Sequence, residues 1–150
     1  MDIEDIWEKM YEVARKEFRP EEITPFMQVR HVVAAVESAK TGKIYTGFNV
    51  DSASGVMNIC AERIAALNMY MNEGNTIVKR LIAFRDEAPS GNNGMPCGAC
   101  REFFMQSAYE NREMEIMVDY NTRETILLKD LMPKWWGDVR YEAMRRERLV

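Results

Sequence analysis

Hydrophobic residues near the start of the chain recur every three or four positions. They are Ile3, Ile6, Trp7, Met10, Val13 and Ala14. This spacing, with acidic residues in the first turns, predicts an amphipathic helix over residues 2–18 that ends before Pro20. Apolar positions at similar spacing predict three more helices, over residues 59–71, 97–107 and 139–149.

Short apolar runs bounded by turn-forming residues predict five strands. They cover residues 32–36, 44–48, 77–84, 115–118 and 124–128. A Lys-Thr-Gly-Lys turn joins the first two into a β-hairpin, and the polar stretch at residues 49–58 is predicted as a loop. Because helices separate the strands, the pattern indicates an α/β domain with a mixed sheet.

The composition is typical of a globular protein. Of the 150 residues, 47% are hydrophobic and 29% are charged, and this length fits a single domain over residues 1–150. No apolar run approaches the roughly 20 residues that span a bilayer, and the first residues lack the features of a signal peptide, so we expect a cytoplasmic protein with no membrane partner. Three cysteines are an odd number, which favours reduced, metal-binding or catalytic thiols over disulfides.

The net charge of −4 argues against nucleic acid as a partner. Lys and Arg (20 residues) are outnumbered by Asp and Glu (24) and are scattered along the chain, whereas a nucleic-acid surface needs clustered positive charge. The basic cluster at residues 145–148 is typical of a solvated helix end. A small-molecule partner is therefore favoured.

All three cysteines lie in two short motifs. Residues 60–63 read Cys-Ala-Glu-Arg, and residues 96–101 read Pro-Cys-Gly-Ala-Cys-Arg. Three thiolates can hold Zn²⁺ and leave its fourth position open, as in a catalytic zinc site. Cys97 and Cys100 are three residues apart at a predicted helix start, where both sulfurs can face one metal and the helix dipole stabilises thiolates. The motifs therefore predict one zinc ion held by Cys60, Cys97 and Cys100.

Two charged residues follow the first of these ligands. Glu62 lies two positions from Cys60, close enough to the metal to act as a general acid–base for a zinc-activated water. In a regular helix these two side chains point to nearly opposite sides, so they can converge only near a helix end. Arg63, three positions from Cys60, can hydrogen-bond a ligand sulfur and offset the negative charge of three thiolates.

Two other interpretations of the cysteines are open. In a closed structural zinc site, His31, the only histidine of the chain, would supply the fourth ligand. In a redox pair, Cys97 and Cys100 would form a disulfide, which leaves residues 60–63 without a role. A catalytic zinc site accounts for both motifs and is favoured.

Together the two motifs resemble those of the small, homotetrameric cytidine deaminases. Residues 49–53, Asn-Val-Asp-Ser-Ala, resemble that family's Asn-x-Glu-Asn-Ala at the same distance before the first cysteine. Residues 32–36 resemble its Val-Gly-Ala-Ala-Leu strand, and residues 131–133 resemble its Leu-Leu-Pro near the end. The likeness covers residues 25–135 or so and keeps the order of the elements.

This resemblance implies a three-layer α/β/α cytidine deaminase-like fold with a five-stranded mixed sheet. It also implies a homotetramer that converts cytidine and deoxycytidine to the uridine form by zinc-dependent hydrolysis, as in pyrimidine salvage. If the residues at the matching positions have the roles that they have in this family, Asn49 and Asp51 would hold the ribose 3′-hydroxyl. The Ala61 backbone would contact the base, and Glu62 would be the proton shuttle. The three cysteines would bind the zinc ion.

The chain departs from the family pattern at several positions. Arg30 stands where the family has an aromatic residue near the nucleoside, Asp51 where it has Glu, Gly55 where many members have Tyr, and Glu102 where most have Gln. Because guanidinium pairs bidentately with phosphate or carboxylate, Arg30 is a candidate for binding an anionic group of the substrate, or else a partner for a buried acid. The Trp-Trp pair at residues 135–136 can cap a substrate pocket or pack the last helix.

We therefore expect a zinc-dependent deaminase, with two alternatives. One is deamination of a different small aminopyrimidine or aminopurine, as in blasticidin-type enzymes. The other is a non-catalytic zinc-containing protein that binds a nucleoside. Glu62 favours an enzyme, because a binding module has no need of a carboxylate beside the metal.

Overall fold

The computed structural model describes residues 5–148. The helices are α1 (Ile6–Arg15), α2 (Ala61–Glu73), α3 (Gly98–Ser107), α4 (Leu128–Leu131) and α5 (Asp138–Arg148). The strands are β1 (Glu21–Thr24), β2 (Met27–Ser38), β3 (Ile44–Ser52), β4 (Val78–Phe84), β5 (Glu115–Asp119) and β6 (Glu124–Leu127). Two 3₁₀ turns, Gly55–Met57 and Tyr109–Glu113, lie between them. None of the helices within this part of the chain is long and apolar enough to cross a membrane.

The first helix ends three residues before the end of its predicted span, residues 2–18. Asp5 caps its start, because the Asp5 carboxylate accepts hydrogen bonds from the backbone N–H groups of Trp7 (3.0 Å) and Glu8 (3.3 Å). The helix ends at Arg15. Ile3 and Leu149, which the sequence places in the first and last helices, lie outside the described residues.

The described sheet has six strands, one more than the five predicted, and its mixed character is as expected. The additional strand, β1, consists of four exposed residues with no apolar alternation, so no pattern marked it; it forms by pairing with β2. The order is β1-β2-β4-β5-β6, and β3 runs along the other side of β2. Only β4 and β5 pair in parallel. The short helix α4 also lies where the sequence predicts the end of a strand.

Helices cover both faces of the sheet, which gives three layers. Side chains alternate along each strand, and in β4 this alternation separates the two sides. Ile82 and Phe84 pack with α1, whereas Leu81 and Ala83 pack in the larger cluster with α2 and α3. The α/β/α class expected from the sequence is therefore confirmed.

Helix α2 lies close to β3 because of Gly47. A Cβ atom at Gly47 would stand 2.3 Å from the backbone nitrogen of Ala65 and 2.5 Å from the carbonyl oxygen of Ala61. Any side chain at this position would force the two backbones apart. The absence of one brings the start of α2, which carries part of the cysteine motif, directly over the sheet.

The other end of α2 is held by a carboxylate. Glu73 accepts hydrogen bonds from four side chains, those of Ser38, Thr41, Tyr45 and Asn75. The bond from Ser38, followed by those from its neighbours, lowers the pKa of Glu73 to about 2, so this anchor is charged at neutral pH. The helix is thus fixed to the β2–β3 hairpin at its end and to β3 at its start.

Candidate functional site

The three cysteines meet at the start of two helices. Cys60 is the N-cap of α2 and Cys97 is the N-cap of α3, both with extended backbone, and Cys100 lies in the first turn of α3. Their sulfur atoms all lie within 4.8 Å of one another, with Cys60 and Cys97 at 3.5 Å. Two helix N-termini therefore point at one cluster of thiols, where the helix dipoles favour the thiolate form.

This cluster fits a zinc ion. Tetrahedral zinc with Zn–S bonds of ~2.3 Å holds its sulfur ligands about 3.8 Å apart, close to the separations in the cluster. The grouping contains the three thiols and neither His31 nor Glu62. Within the described residues it therefore offers three protein ligands, as in zinc sites that keep one position open.

The thiols differ in environment. Burial raises the pKa of Cys60 and, together with the nearby Glu62 carboxylate, that of the fully buried Cys100. For Cys97, burial acts in the same direction, but the backbone N–H groups at the start of α3 and the other two thiols outweigh it, so the pKa of Cys97 is lowered. The exposed thiol is thus the one most readily ionised.

Arg63 supplies the positive charge beside this cluster. Its Nη2 atom lies 3.6 Å from the sulfur of Cys60, and this contact raises the pKa of Arg63 while it opposes the effect of burial on Cys60. The Nε atom of Arg63 is buried and has no hydrogen-bond partner within residues 5–148. The geometry agrees with the charge-offsetting contact expected from the sequence.

Glu62 stands beside the thiols because α2 begins at Ala61, two residues later than the predicted start. Since Cys60 precedes the helix and has extended backbone, the opposite orientation that a regular helix would impose on these two side chains does not arise. Glu62 is 6% exposed, and its burial raises the pKa of the carboxyl group. A buried carboxyl group at the wall of a cavity is suited to proton transfer.

Asn49 fills a bulge between β2 and β3. The two strands are in register at Val29–Val50 and again at Val33–Phe48, so three residues of β2 face Asn49 alone. The Oδ1 atom of Asn49 accepts hydrogen bonds from the backbone N–H groups of His31 and Val32, both at 2.8 Å. With its oxygen occupied, Asn49 has only amide N–H donors left for a ligand.

A cavity of about 390 Å³ opens beside the thiols, a size that suits a small molecule. Six of the residues singled out from the sequence line it: Asn49, Asp51, Cys60, Ala61, Glu62 and Cys97. Asn49 and Asp51 belong to β3, which extends to Ser52 instead of ending in a loop after residue 48. An isolated antiparallel β-bridge pairs Val50 of this strand with Ile59, the residue before Cys60. The strand extension thus joins the Asn49 motif to the metal motif.

Arg30 is not among the residues that line this cavity. It lies in the bulge with a left-handed backbone (φ 67°), an uncommon conformation for a non-glycine residue. Its guanidinium donates a 2.6 Å hydrogen bond to the Glu17 carboxylate and stacks 4.2 Å above the Phe48 ring. The structure therefore shows Arg30 as a partner of an acid, although Glu17 is only partly buried and not the buried acid that was expected, and the role of Arg30 in anion binding stays a prediction.

Trp135 and Trp136 also lie away from this cavity. Both indole N–H groups donate to the carboxylate of Glu102 at 3.1 Å, and Trp135 is buried. They line a separate groove with Arg140 and Tyr141. Glu102 thus has a structural use, since a carboxylate can accept from both rings. Gly55 is exposed with open space around it.

Three further polar residues line the cavity that the sequence analysis did not single out: Asn58, Arg85 and Asn93. Arg85 directly follows β4, and polar residues at the carboxyl end of a buried strand are common positions for ligand binding in α/β folds. The place of Arg85 directly after a predicted strand is thus the feature of the sequence that could have indicated it. The two asparagines lie in loops whose course the sequence does not define.

The sequence matches a family profile described as the cytidine and deoxycytidylate deaminase zinc-binding region, over residues 6–115. A cytidine deaminase of Mycobacterium tuberculosis is 30% identical over 108 residues, which are 72% of this chain and 74% of that protein. A cytidine deaminase of Mycoplasma pneumoniae is 27% identical over 114 residues, 76% of this chain and 78% of that protein.

Solved structures show the same fold. The crystal structure of cytidine deaminase from Mycobacterium tuberculosis has a TM-score of 0.66 at 24% identity and covers 91% of this chain and 99% of its own. That of the enzyme from Bacillus anthracis has a TM-score of 0.64 at 22% identity and covers 97% of this chain and 100% of its own. The chain belongs to the family of zinc-dependent cytidine and deoxycytidylate deaminases. It is an enzyme of the hydrolytic deaminase class, and one zinc ion per chain matches its thiol cluster.

Replacing Gly47 by Ala is expected to lower stability and zinc content together. The added methyl group would overlap backbone atoms of Ala61 and Ala65, and overpacking of this kind costs about 1–3 kcal/mol. Gly55→Ala is the matched control, because a Cβ atom there meets nothing within 4 Å. Denaturant unfolding and metal analysis measure both effects. If Gly47→Ala binds one zinc per chain and unfolds like the control, the close approach does not position the site.

Replacing Arg63 by Ala is expected to make the protein release zinc at a higher pH. Arg63 favours the thiolate of Cys60, so without it protons compete with the metal more effectively. Zinc release is followed with a chromogenic chelator as the pH is lowered, and Arg19→Ala, at an exposed position outside the cavity lining, serves as the control. An unchanged release midpoint in Arg63→Ala would show that the contact with Cys60 does not stabilise the metal site.

Proposed function

We propose that this protein, as a single domain, converts cytidine or deoxycytidine and water to the uridine form and ammonia. The observation that carries the proposal is a buried carboxyl group, Glu62, at the wall of a cavity that also contains the thiol cluster. The family membership supports the same reaction. A non-catalytic binding protein has no need of this carboxyl group.

The three cysteines are proposed as the zinc ligands. Cys60 and Cys97 approach from the two helix starts, and Cys100 closes the buried side of the cluster. When bound there, zinc supplies Lewis acidity that activates water at neutral pH. The open side of the cluster faces the cavity, since Cys60 and Cys97 line it. An amidine carbon of the substrate can reach this side.

Glu62 is proposed as the proton shuttle. Its carboxylate accepts a proton from the attacking water and passes it to the ring nitrogen of the base. It then accepts the proton of the hydroxyl group newly attached to the amidine carbon and passes that proton to the departing amine. Burial raises the pKa of Glu62, which moves it toward neutrality, where a group can both accept and release a proton. This environment distinguishes Glu62 from an exposed surface carboxylate.

The sugar and the base are proposed to lie along β3 and the start of α2. The free N–H donors of Asn49 and the carboxylate of Asp51 would bind the ribose 3′-hydroxyl, the first as donor and the second as acceptor. The backbone of Ala61 would contact the base. Asp51 reaches less far than the Glu of the family pattern, so deamination of a related small aminopyrimidine or aminopurine is the alternative.

A homotetramer is proposed as the functional assembly, in keeping with the resemblance. Several large apolar side chains on α2 and near its start are exposed: Val56, Met57, Leu67, Tyr70 and Met71. The spacing of Leu67, Tyr70 and Met71 places these three on one face of α2, and an exposed apolar face of this kind is typical of subunit contacts. The three reduced cysteines favour a reducing compartment such as the cytoplasm, where a role in pyrimidine salvage would fit.

Replacing Glu62 by Gln is expected to reduce deamination by at least about 100-fold, because the amide keeps the shape but cannot carry the proton. Ammonia release by the zinc-loaded protein is measured with cytidine, deoxycytidine, cytosine, blasticidin S and common aminopurines. Glu12→Gln, on the exposed side of α1, is the matched control.

The zinc content decides how a loss of activity is interpreted. Glu62→Gln should retain one zinc per chain, whereas Cys97→Ala should lose both zinc and activity. Full activity in Glu62→Gln would contradict its role. Turnover of another compound in the panel, without turnover of cytidine or deoxycytidine, would contradict the proposed substrate.

Light scattering is expected to give a mass of four times the 17.5 kDa chain at micromolar concentration. Met71→Glu is expected to lower this mass, because it places a charge in the exposed apolar patch of α2. Lys16→Glu, at the end of α1 on the opposite face of the sheet, is the control. A wild-type protein that is monomeric under these conditions would contradict the tetramer.

A further inference from the structure

Arg85 places a cation on the cavity side of the sheet. In β4, Phe84 packs toward α1 and Ala83 packs toward α2 and α3. Arg85 is the first residue after β4, at an exposed bend in which the chain leaves the sheet. The residues lining the cavity include Arg85. The pairing of Phe84 with Val33 of β2 fixes the end of the strand that Arg85 follows.

This guanidinium has no ionic partner among the described residues. Of the acidic groups nearby, Asp86 and Glu87 follow it in an exposed stretch, and Asp51 lines the same cavity. No ion pair or hydrogen bond joins Arg85 to any of them within residues 5–148. Arg30, by contrast, is already engaged by Glu17. Arg85 is thus the cation of the cavity wall that is available to a ligand.

Asn93 adds a hydrogen-bond donor to the same wall. Its Oδ1 atom accepts from the backbone N–H of Ser90 at 2.9 Å, which orients the amide, and its nitrogen has no acceptor among residues 5–148 and can donate to a ligand. The next residue, Gly94, packs against the end of β4: a Cβ atom there would lie 2.5 Å from the carbonyl oxygen of Ala83. This contact holds Asn93 beside the strand end that carries Arg85.

Two further asparagines line the cavity, together with the carboxyl groups of Asp51 and Glu62. Asn49 uses its oxygen for two backbone N–H groups, and the oxygen of Asn58 accepts from the backbone N–H of Ser52 at 2.6 Å. All three asparagines of the cavity therefore use their oxygen atoms to accept backbone hydrogen bonds, Asn49 two of them, and within residues 5–148 their amide N–H groups remain as donors. A cavity with three such amides and one guanidinium matches a ligand rich in acceptor oxygens.

We infer that Arg85 and Asn93 form a subsite for an oxyanion, so that the substrate of this enzyme is an amidine compound with an anionic substituent, a phosphate or a carboxylate. This inference rests on the proposed function for the reaction at the other end of the cavity. Arg85 provides the charge and a planar pair of donors, and Asn93 provides a further donor.

One ligand can reach both walls. Asn49 lies on β3 and Arg85 follows β4, with β2 between them, and two strand spacings amount to about 10 Å. A nucleoside bound by its sugar at Asn49 would have to direct its substituent across β2 toward Arg85. In a chain with a net charge of −4, binding an anion depends on such a local cation, since the overall field repels it.

The test compares charged and neutral ligands that differ only in the anionic group. Turnover is measured as kcat/KM for cytidine 5′-monophosphate, for the nucleoside oxidised to the 5′-carboxylate, and for cytidine. Binding of uridine 5′-monophosphate and uridine is measured by calorimetry, which does not depend on catalysis. The preference for each anion is the kcat/KM of the charged compound divided by that of cytidine. For binding, it is the affinity for uridine 5′-monophosphate divided by that for uridine.

The wild-type protein is expected to prefer at least one of the two anions, and Arg85→Gln is expected to reduce that preference by at least about tenfold, the size of a lost charge-assisted hydrogen bond. Asn93→Asp keeps the oxygen that accepts from Ser90 but replaces the donor by negative charge, and should reduce the preference as well. Arg19→Gln, an exposed arginine outside the cavity lining, should leave it unchanged.

The outcomes separate this inference from the proposed function. A preference confined to the phosphate or to the carboxylate, and lost in Arg85→Gln, supports the subsite and identifies its anion. Turnover of cytidine with no preference for either anion, or a preference unaffected by Arg85→Gln, overturns the subsite alone. Arg85-dependent binding of uridine 5′-monophosphate without turnover of any cytosine compound supports the subsite and overturns the proposed reaction.

Discussion

The close contact between α2 and β3 at Gly47 is the constraint on which the position of the thiol cluster depends. Helix and strand backbones approach so closely there that a single Cβ atom would overlap three backbone atoms of α2. This approach brings Cys60 and Glu62 to the end of the sheet, where α3 brings Cys97 and Cys100. The carboxylate of Glu73 holds the other end of α2. The thiol cluster is therefore positioned by backbone packing rather than by the cysteines themselves.

The bulge in β2 positions Asn49, which lines the same cavity as the thiol cluster. Three residues of β2 face Asn49 alone, and the side chain of Asn49 satisfies two backbone N–H groups that the ladder leaves unpaired. The same bulge gives Arg30 its left-handed backbone, which its contacts with Glu17 and Phe48 support. Asn49 thus has a structural task that also orients its free donors toward the cavity.

Charge is distributed unevenly in this acidic protein. Arg63 contacts the sulfur of Cys60, Arg30 is engaged by Glu17, and Arg85 at the cavity wall has no ion-pair partner within residues 5–148. Glu62 is buried, which favours its protonated form, while Glu73 is held in its charged form by hydrogen bonds. Two carboxyl groups at the two ends of α2 therefore have opposite pKa shifts, because burial dominates at Glu62 and hydrogen bonds dominate at Glu73.

The sequence by itself determined the class of chemistry and the order of the elements. The spacing of the cysteines and the adjacent Glu62 are local features of the sequence. The apolar patterns of the strands and helices are local as well, and they were enough to predict the α/β class. Only the tertiary structure decided the sixth strand, the start of α2 at Ala61, the partner of Arg30 and the place of Arg85. Each of these depends on strand pairing or on contacts between residues far apart in the chain, and such contacts leave no periodic signal in the sequence.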